Sequence, residues 1–190
     1  MYLSVLRNII VYMHNPSWKL IKRKNVYTSK FVKVYEDEIE LPNGTRIDDY
    51  TIIEKKDIVM IVATDREGNI IVLDEYKYAI DAVIPTLPAG GLKKDEDPIT
   101  CALRELKEET GYEFGKAELI TTLHDYPTKD LHKVYVVRVK NAKKLSQQNH
   151  EATEQITWRL LDKDSLKKEV LSGAWKGTSS VAALAVCGLI

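Results

Sequence analysis

Residues 90–112, GGLKKDEDPITCALRELKEETGY, read as a loop that feeds a helix. Asp97 has the short acceptor side chain of an N-cap, Pro98 suits the first helical position, and Gly111 suits the left-handed residue just past the end. Ile99, Ala102, Leu103 and Leu106 fall at spacings of three and four, which predicts one apolar stripe facing a core. Glu105, Glu108 and Glu109 follow the same spacing a quarter-turn or more away, so three carboxylates crowd one ridge. Like charges this close repel one another. Two readings stand open: the ridge is a solvated face, or a hard divalent cation neutralises it, because clustered carboxylates without Cys or His suit Mg²⁺, Mn²⁺ or Ca²⁺.

The surroundings add a pattern. Gly90, Glu96, Arg104, Glu105, Leu106, Glu108, Glu109, Gly111 and Tyr112 stand in the order G-x5-E-x7-R-E-U-x-E-E-x-G-U, where U is a bulky apolar residue. This resembles the Nudix box, the motif that defines the Nudix hydrolases, with every specified position filled. Tyr112 departs mildly, being aromatic where an aliphatic residue is commoner.

The resemblance implies an α/β fold, a Nudix-type α/β/α sandwich with a central mixed sheet. It also implies hydrolysis of a nucleoside diphosphate linked to another moiety, with Mg²⁺ (or Mn²⁺) as cofactor. At the positions that match the family's motif, Glu105, Glu108 and Glu109 are the implied metal ligands, joined by the backbone carbonyl of Ala89. Arg104 matches the arginine that braces these glutamates, and Glu96 matches the acid that closes the loop back onto it. A guanidinium fork suits bracing because it binds a carboxylate in two places at once. Gly90 and Gly91 let the backbone turn its carbonyls and amides toward metal and phosphate.

Upstream of the box, residues 57–64 (DIVMIVAT) read as a buried strand, DREGN as a turn and IIVLDEYKY as the returning strand, together a hairpin of the main sheet. Lys77, at the end of that hairpin, matches the place where the family has a basic residue on the substrate's phosphates. It is a point charge rather than a fork, and on bare residue grounds it is equally a solvent-facing lysine. Downstream, KAELITTLHDY and KVYVVRV predict two more strands, followed by ITWRLL and by helices over DSLKKEVLSG and SSVAALAVCGLI. Pro127 lies 16 residues beyond Gly111, an offset that resembles the mark of ADP-ribose pyrophosphatases; taken alone, a loop proline fixes a turn. The polar stretch LSQQNHEATEQ is expected to be a mobile loop and carries Glu151 and Glu154. In the ADP-ribose branch a glutamate of this loop helps activate the water, with Glu154 the first candidate here and Glu151 the second; without the resemblance both are ordinary loop carboxylates.

The first 55 residues alternate apolar and charged positions over residues 18–24, 27–40 and 45–55, with LPNG as a turn, and so predict a small antiparallel sheet. Such a sheet recurs in the branch of the family acting on ADP-ribose and nucleotide sugars, where it often reaches a second subunit. The expected division is therefore a strand-rich extension over residues 1–55, serving a homodimer, and a hydrolase domain over residues 56–190. Tyr27, Phe31 or Tyr50 of this sheet is a candidate to stack on the substrate's base, against the plainer reading that each is a packing aromatic.

The 190-residue chain is 44% hydrophobic and 29% charged, enough for a sizeable core. Its 28 basic residues balance 28 acidic ones, which gives no general attraction for nucleic acid. Cys101 and Cys187 fit neither a zinc spacing nor a disulfide framework and are read as free thiols of a cytoplasmic protein. No apolar run reaches membrane-span length, and the start, MYLSVLRNIIVYM, lacks the marks of a signal peptide and is expected to pack as a surface helix or strand. The function expected is hydrolysis of the pyrophosphate bond of ADP-ribose or a related nucleotide sugar. Alternatives are a nucleoside triphosphate, a dinucleotide or a GDP-sugar as substrate, or a metabolite-sensing module without turnover.

Overall fold

A computed structural model describes residues 17–113, 115–149 and 155–190. The expectations for the apolar start, Glu151 and Glu154 lie outside the described residues. The chain divides into two compact units, Met1–Lys55 with Thr128–Leu131 and Lys56–Pro127 with His132–Ile190.

The described part of the first unit is a three-stranded antiparallel sheet of β1 (Lys19–Thr28), β2 (Val32–Glu40) and β3 (Arg46–Lys55), in that spatial order. The expected break at residues 25–26 is a register shift within β1 instead, and the chain reverses at residues 29–31. The cause is local: the Ser29 hydroxyl accepts from the amides of Phe31 and Val32, a turn that competes with strand extension. Apolar burial is scarce here, Ile39 being the buried hydrophobic residue of the three strands. Cross-strand polar pairs hold the sheet in register. Arg23 grips buried Asp37 with two hydrogen bonds of 2.8 and 2.7 Å, and Glu54 takes both Lys33 (2.6 Å) and the Tyr35 hydroxyl (2.9 Å). Residues 128–131 close onto β3 through Ile53 N to Lys129 O (2.7 Å) and Leu131 N to Ile53 O (2.9 Å).

The second unit contains β4 (Ile58–Ala63), β5 (Ile70–Lys77), β6 (Ala82–Thr86), β7 (Ala89–Gly91), α1 (Pro98–Thr110), β8 (Tyr112–Glu113), β9 (Lys116–Leu123), β10 (Val134–Lys140), β11 (Lys143–Lys144), β12 (Ile156–Leu161), α2 (Lys163–Leu171) and α3 (Thr178–Val186). A mixed sheet runs β7-β4-β10-β9, with β4 and β10 parallel and the other pairs antiparallel. A second, antiparallel sheet runs β12-β5-β6, and β11 pairs with β8. The predicted β4–β5 hairpin does not form as a ladder: the two meet only at the Thr64–Ile70 bridge. Both edges of β4 are already taken, by β7 and β10, so β5 starts a sheet of its own.

Alternation decides which layer each side chain joins. Val59, Ile61 and Ala63 of β4 share a cluster with Cys101, Ala102 and Leu106 of α1, whereas Met60 and Val62 share one with Leu166 of α2 and Ala183 and Leu184 of α3. Helices thus cover both faces, giving an α/β/α sandwich with a mixed sheet at its centre. Among the described residues no helix is long and apolar enough to cross a membrane.

Candidate active site

The site begins where β7 delivers its backbone to α1. Ile58 pairs with Gly91 and Met60 with Ala89, which fixes residues 89–91 against a strand buried from Val59 to Ala63. The loop then folds on itself: Lys93 N donates to Glu96 Oε2 (2.9 Å), and Asp95 takes a left-handed turn at φ 60°. Asp97 accepts from the amides of Ile99 and Thr100, both at 3.0 Å, with Pro98 opening the helix and Gly111 closing it at φ 70°. The buried stripe of α1 is rotated from the expected one. Cys101, Ala102, Leu106, Glu109 and Thr110 are buried, while Ile99 and Leu103 are only partly so. Glu109 can enter this face because the Ala89 amide donates to its carboxylate at 3.1 Å.

Arg104 organises the carboxylates. Its Nε and Nη2 both bind Glu96, at 2.9 Å each, while Nη1 reaches Glu105 at 2.7 Å and Glu108 at 3.0 Å. The guanidinium beside Glu96 holds that carboxyl down to about 2, aided by the Lys93 amide. The same pairing, with Glu96 first and Glu105 next, raises Arg104 above its ordinary value. Burial pushes the neighbouring Cys101 thiol up to about 12, with Glu96 adding to it. That leaves Cys101 a core side chain rather than a nucleophile.

Ala89, Gly90, Gly91, Arg104, Glu105, Glu108 and Glu109 line a single cavity of about 430 Å³, joined by Lys56, Lys93 and Asn149. Its donors are hard carboxylate and carbonyl oxygens without sulfur or imidazole, the set that suits Mg²⁺ or Mn²⁺. The absent side chain of Gly90 matters to this set: a Cβ there would collide with the Glu105 carboxylate. In their present positions, no three His, Cys, Asp or Glu side chains among the described residues are gathered as a ready coordination shell. Arg104 and the Ala89 amide hold the oxygens instead. The donor chemistry fits a hard cation; the carboxylates would turn from Arg104 to meet one.

Other expected residues lie elsewhere. Lys77 ends β5, paired with Glu75 at 2.5 Å, and Pro127 is exposed in the β9–β10 connection; neither lines this cavity. Tyr50 belongs to the first unit, where its hydroxyl donates to Thr128 O (2.8 Å), Lys129 Nζ sits 3.2 Å from its ring centroid and Trp18 meets it edge-on. Tyr27 and Phe31 are exposed, at 55% and 73%. Sequence reading missed Lys56, Lys93 and Asn149. Lys93 occupies an unspecified position of the box, and Lys56 is carried in only by the β4–β7 pairing, which no local signal announces.

A family model described as the NUDIX domain matches residues 54–179, and one described as the nucleoside diphosphate sugar hydrolase N-terminal domain matches residues 18–53. The chain belongs to the Nudix family. Among its relatives are the methanol dehydrogenase activator of Bacillus methanolicus, 36% identical over 109 residues, and the ADP-ribose pyrophosphatase of Bacillus subtilis (strain 168), 35% identical over 109 residues. Each alignment covers 57% of this chain and 58% of the relative, so the chain spans under two thirds of the length of the curated relatives it matches. A crystal structure of ADP compounds hydrolase superposes with a TM-score of 0.78 at 19% identity, covering 90% of this chain and 92% of the other, a likeness of fold.

Proposed function

We propose that the protein is a divalent-cation-dependent hydrolase that cleaves the pyrophosphate bond of ADP-ribose or a related nucleoside diphosphate sugar, giving a nucleoside monophosphate and a sugar phosphate. The observation that carries this reading is the acid ridge of α1, braced by Arg104 and open to a cavity whose rim holds Lys56 and Lys93. Its similarity to ADP-ribose pyrophosphatases of Bacillus subtilis and Mycobacterium tuberculosis supports the substrate class.

In this reading Glu105, Glu108, Glu109 and the Ala89 carbonyl hold Mg²⁺ or Mn²⁺. Such an ion, when bound, supplies neutralisation of the diphosphate's charge and activation of water. The chain's own residues do the positioning. Arg104 keeps Glu105 and Glu108 from repelling each other, Glu96 keeps Arg104 in place, and the Lys56 and Lys93 ammonium groups attract the polyanion to the cavity. Gly91 offers backbone at close approach, and Glu154, or Glu151 as the second candidate, is proposed to take the proton of the attacking water. Lys77, Pro127 and Tyr50 stay as proposed substrate contacts outside the carboxylate cluster.

A homodimer is proposed from β1, an edge strand exposed along its whole length with Leu20, Val26 and Tyr27 about half open to solvent. A second copy of this sheet is the proposed cover. Light scattering that gives a fully active monomer at micromolar concentration would remove it. A cytoplasmic location is proposed from the two free cysteines.

A panel of ADP-ribose, other nucleotide sugars, dinucleotides and triphosphates with Mg²⁺ tests the substrate. We expect kcat/KM on ADP-ribose to exceed that on ATP or dGTP by at least about tenfold, roughly 1.4 kcal/mol of discrimination. Equal or better cleavage of triphosphates sinks the substrate assignment.

A further inference from the structure

An α-helix ends with four carbonyls that have no partner within it. At the end of α1, four successive carbonyls, those of residues 108–111, accept from one distant segment. Asn149 N donates to Glu108 O at 2.8 Å, the Gln148 side-chain amide to Glu109 O at 2.7 Å, and Lys144 Nζ to Thr110 O at 2.6 Å. The amides of Leu145 and Ser146 both donate to Gly111 O, at 3.1 and 3.2 Å. The Gln148–Glu109 contact joins residues 39 apart in sequence, and the Asn149–Glu108 contact reaches further still. The polar stretch expected to be a mobile loop is, over residues 145–149, bonded to the helix.

Three further features anchor this clamp. Lys143 and Lys144 pair as β11 with Glu113 and Tyr112 of β8, directly beyond the helix. The Lys144 ammonium lies 4.9 Å from the Trp158 ring centroid and 5.9 Å from that of Tyr112, and as a cation at a helix C-terminus it complements the dipole. Gly111 is needed for the fit, since a Cβ there would meet the Ser146 carbonyl and Lys144 Nζ.

Glu108 and Glu109 sit in the last turn of α1, the part of a helix that frays first, and two of the clamp's bonds end on their own backbone carbonyls. We infer that Lys144 and Gln148 are positioning residues, whose bonds to the end of α1 hold Glu108 and Glu109 in register with Glu105 for the cation. This rests on the metal-site reading of the ridge. The effect follows from how little displacement a carboxylate shell tolerates, and from the loss of metal affinity that accompanies removal of such supporting bonds.

The test uses the full chain and two readouts, Mn²⁺ binding followed by electron paramagnetic resonance and kcat with KM on ADP-ribose, well below each variant's Tm. Lys144→Met keeps the packing on the rings and removes the donor; Gln148→Glu keeps the shape and removes the donor. Each is expected to weaken Mn²⁺ binding and to lower kcat by about tenfold with KM within about twofold, and Lys144→Arg, which keeps a donor and a charge, to restore both. Mn²⁺ binding and kcat within about twofold of the unaltered protein in both Lys144→Met and Gln148→Glu, with only Tm lowered, would reduce the segment to a helix cap and overturn the inference. Should one variant fail to fold, the other decides alone. An unaltered protein that binds Mn²⁺ without hydrolysing any nucleotide would sink the proposed function and leave the binding arm to judge the clamp; one that binds no Mn²⁺ sinks both.

Discussion

Along one face of α1, Cys101, Ala102 and Leu106 pack against Val59, Ile61 and Val137; along the other, Arg104, Glu105 and Glu108 hold one another at the wall of an open cavity. The first face has no polar function to preserve, and the second is held by ion pairs rather than by apolar packing. Damage to the two should therefore appear in different measurements. Glu109 lies on the seam, with 5% exposure and yet a place on the cavity wall, and it joins the faces through the Ala89 amide.

The largest expected effect falls on that seam. Glu109→Gln keeps an oxygen for the Ala89 amide and loses the charge, so the metal-free melting curve should stay near that of the unaltered protein. Turnover should fall on the order of a hundredfold or more. Leu106→Ala is its mirror: a fully buried side chain replaced by a cavity costs about 2–5 kcal/mol in denaturant unfolding, with turnover per folded molecule preserved. If Glu105→Gln and Glu109→Gln both kept full turnover, the ridge would be no more than a solvated face. If Leu106→Ala lost turnover in proportion to nothing in its folded fraction, the two faces would not be separable.

A smaller effect sharpens the boundary between them. Gly90 borders the Glu105 carboxylate so closely that Gly90→Ala must push it aside. The displaced group is the end of a flexible side chain rather than backbone, so stability should change by less than about 1 kcal/mol. Turnover should drop by about tenfold, because the displaced group is one of the proposed cation ligands. Unchanged activity in this variant would show that the ridge tolerates more movement than a coordination shell does.

The two ends of the same helix explain how much could be read in advance. At its start every determinant is local: Asp97 caps within three residues, Pro98 follows, and the box supplies Glu96 and Arg104 at fixed spacing. At its end the partners are Lys144, Gln148 and Asn149, and nothing in KLSQQN signals that it will bind a helix terminus. The same contrast separates β4 from β1. Continuous apolar IVMIVA declares a strand buried on both sides, whereas the ten residues of β1 are exposed throughout and owe their register to pairs such as Arg23–Asp37 that only folding brings together. The predicted hairpin that does not form as a ladder has the same origin, because β4 found its neighbours in β7 and β10, far along the chain.

The smallest effect concerns the brace behind the ridge, and its direction with pH is fixed by the sign of one shift. Glu96 has an ordinary value of 4.5 and is held down to about 2, chiefly by its bonds to Arg104. A carboxyl depressed in the folded state contributes stability that is complete above its unfolded value and disappears as pH falls through its folded value. Glu96→Gln lacks that contribution at every pH. Arg104 would keep Glu105 and Glu108 in the variant, so the loss near neutral pH should be modest. The Tm of the unaltered protein should therefore exceed that of Glu96→Gln by a constant margin above about pH 5, and the margin should close between pH 4.5 and about 2. A margin that persists undiminished at pH 2 would mean that Glu96 acts through packing, and that the charge it places behind Arg104 does not steady the ridge.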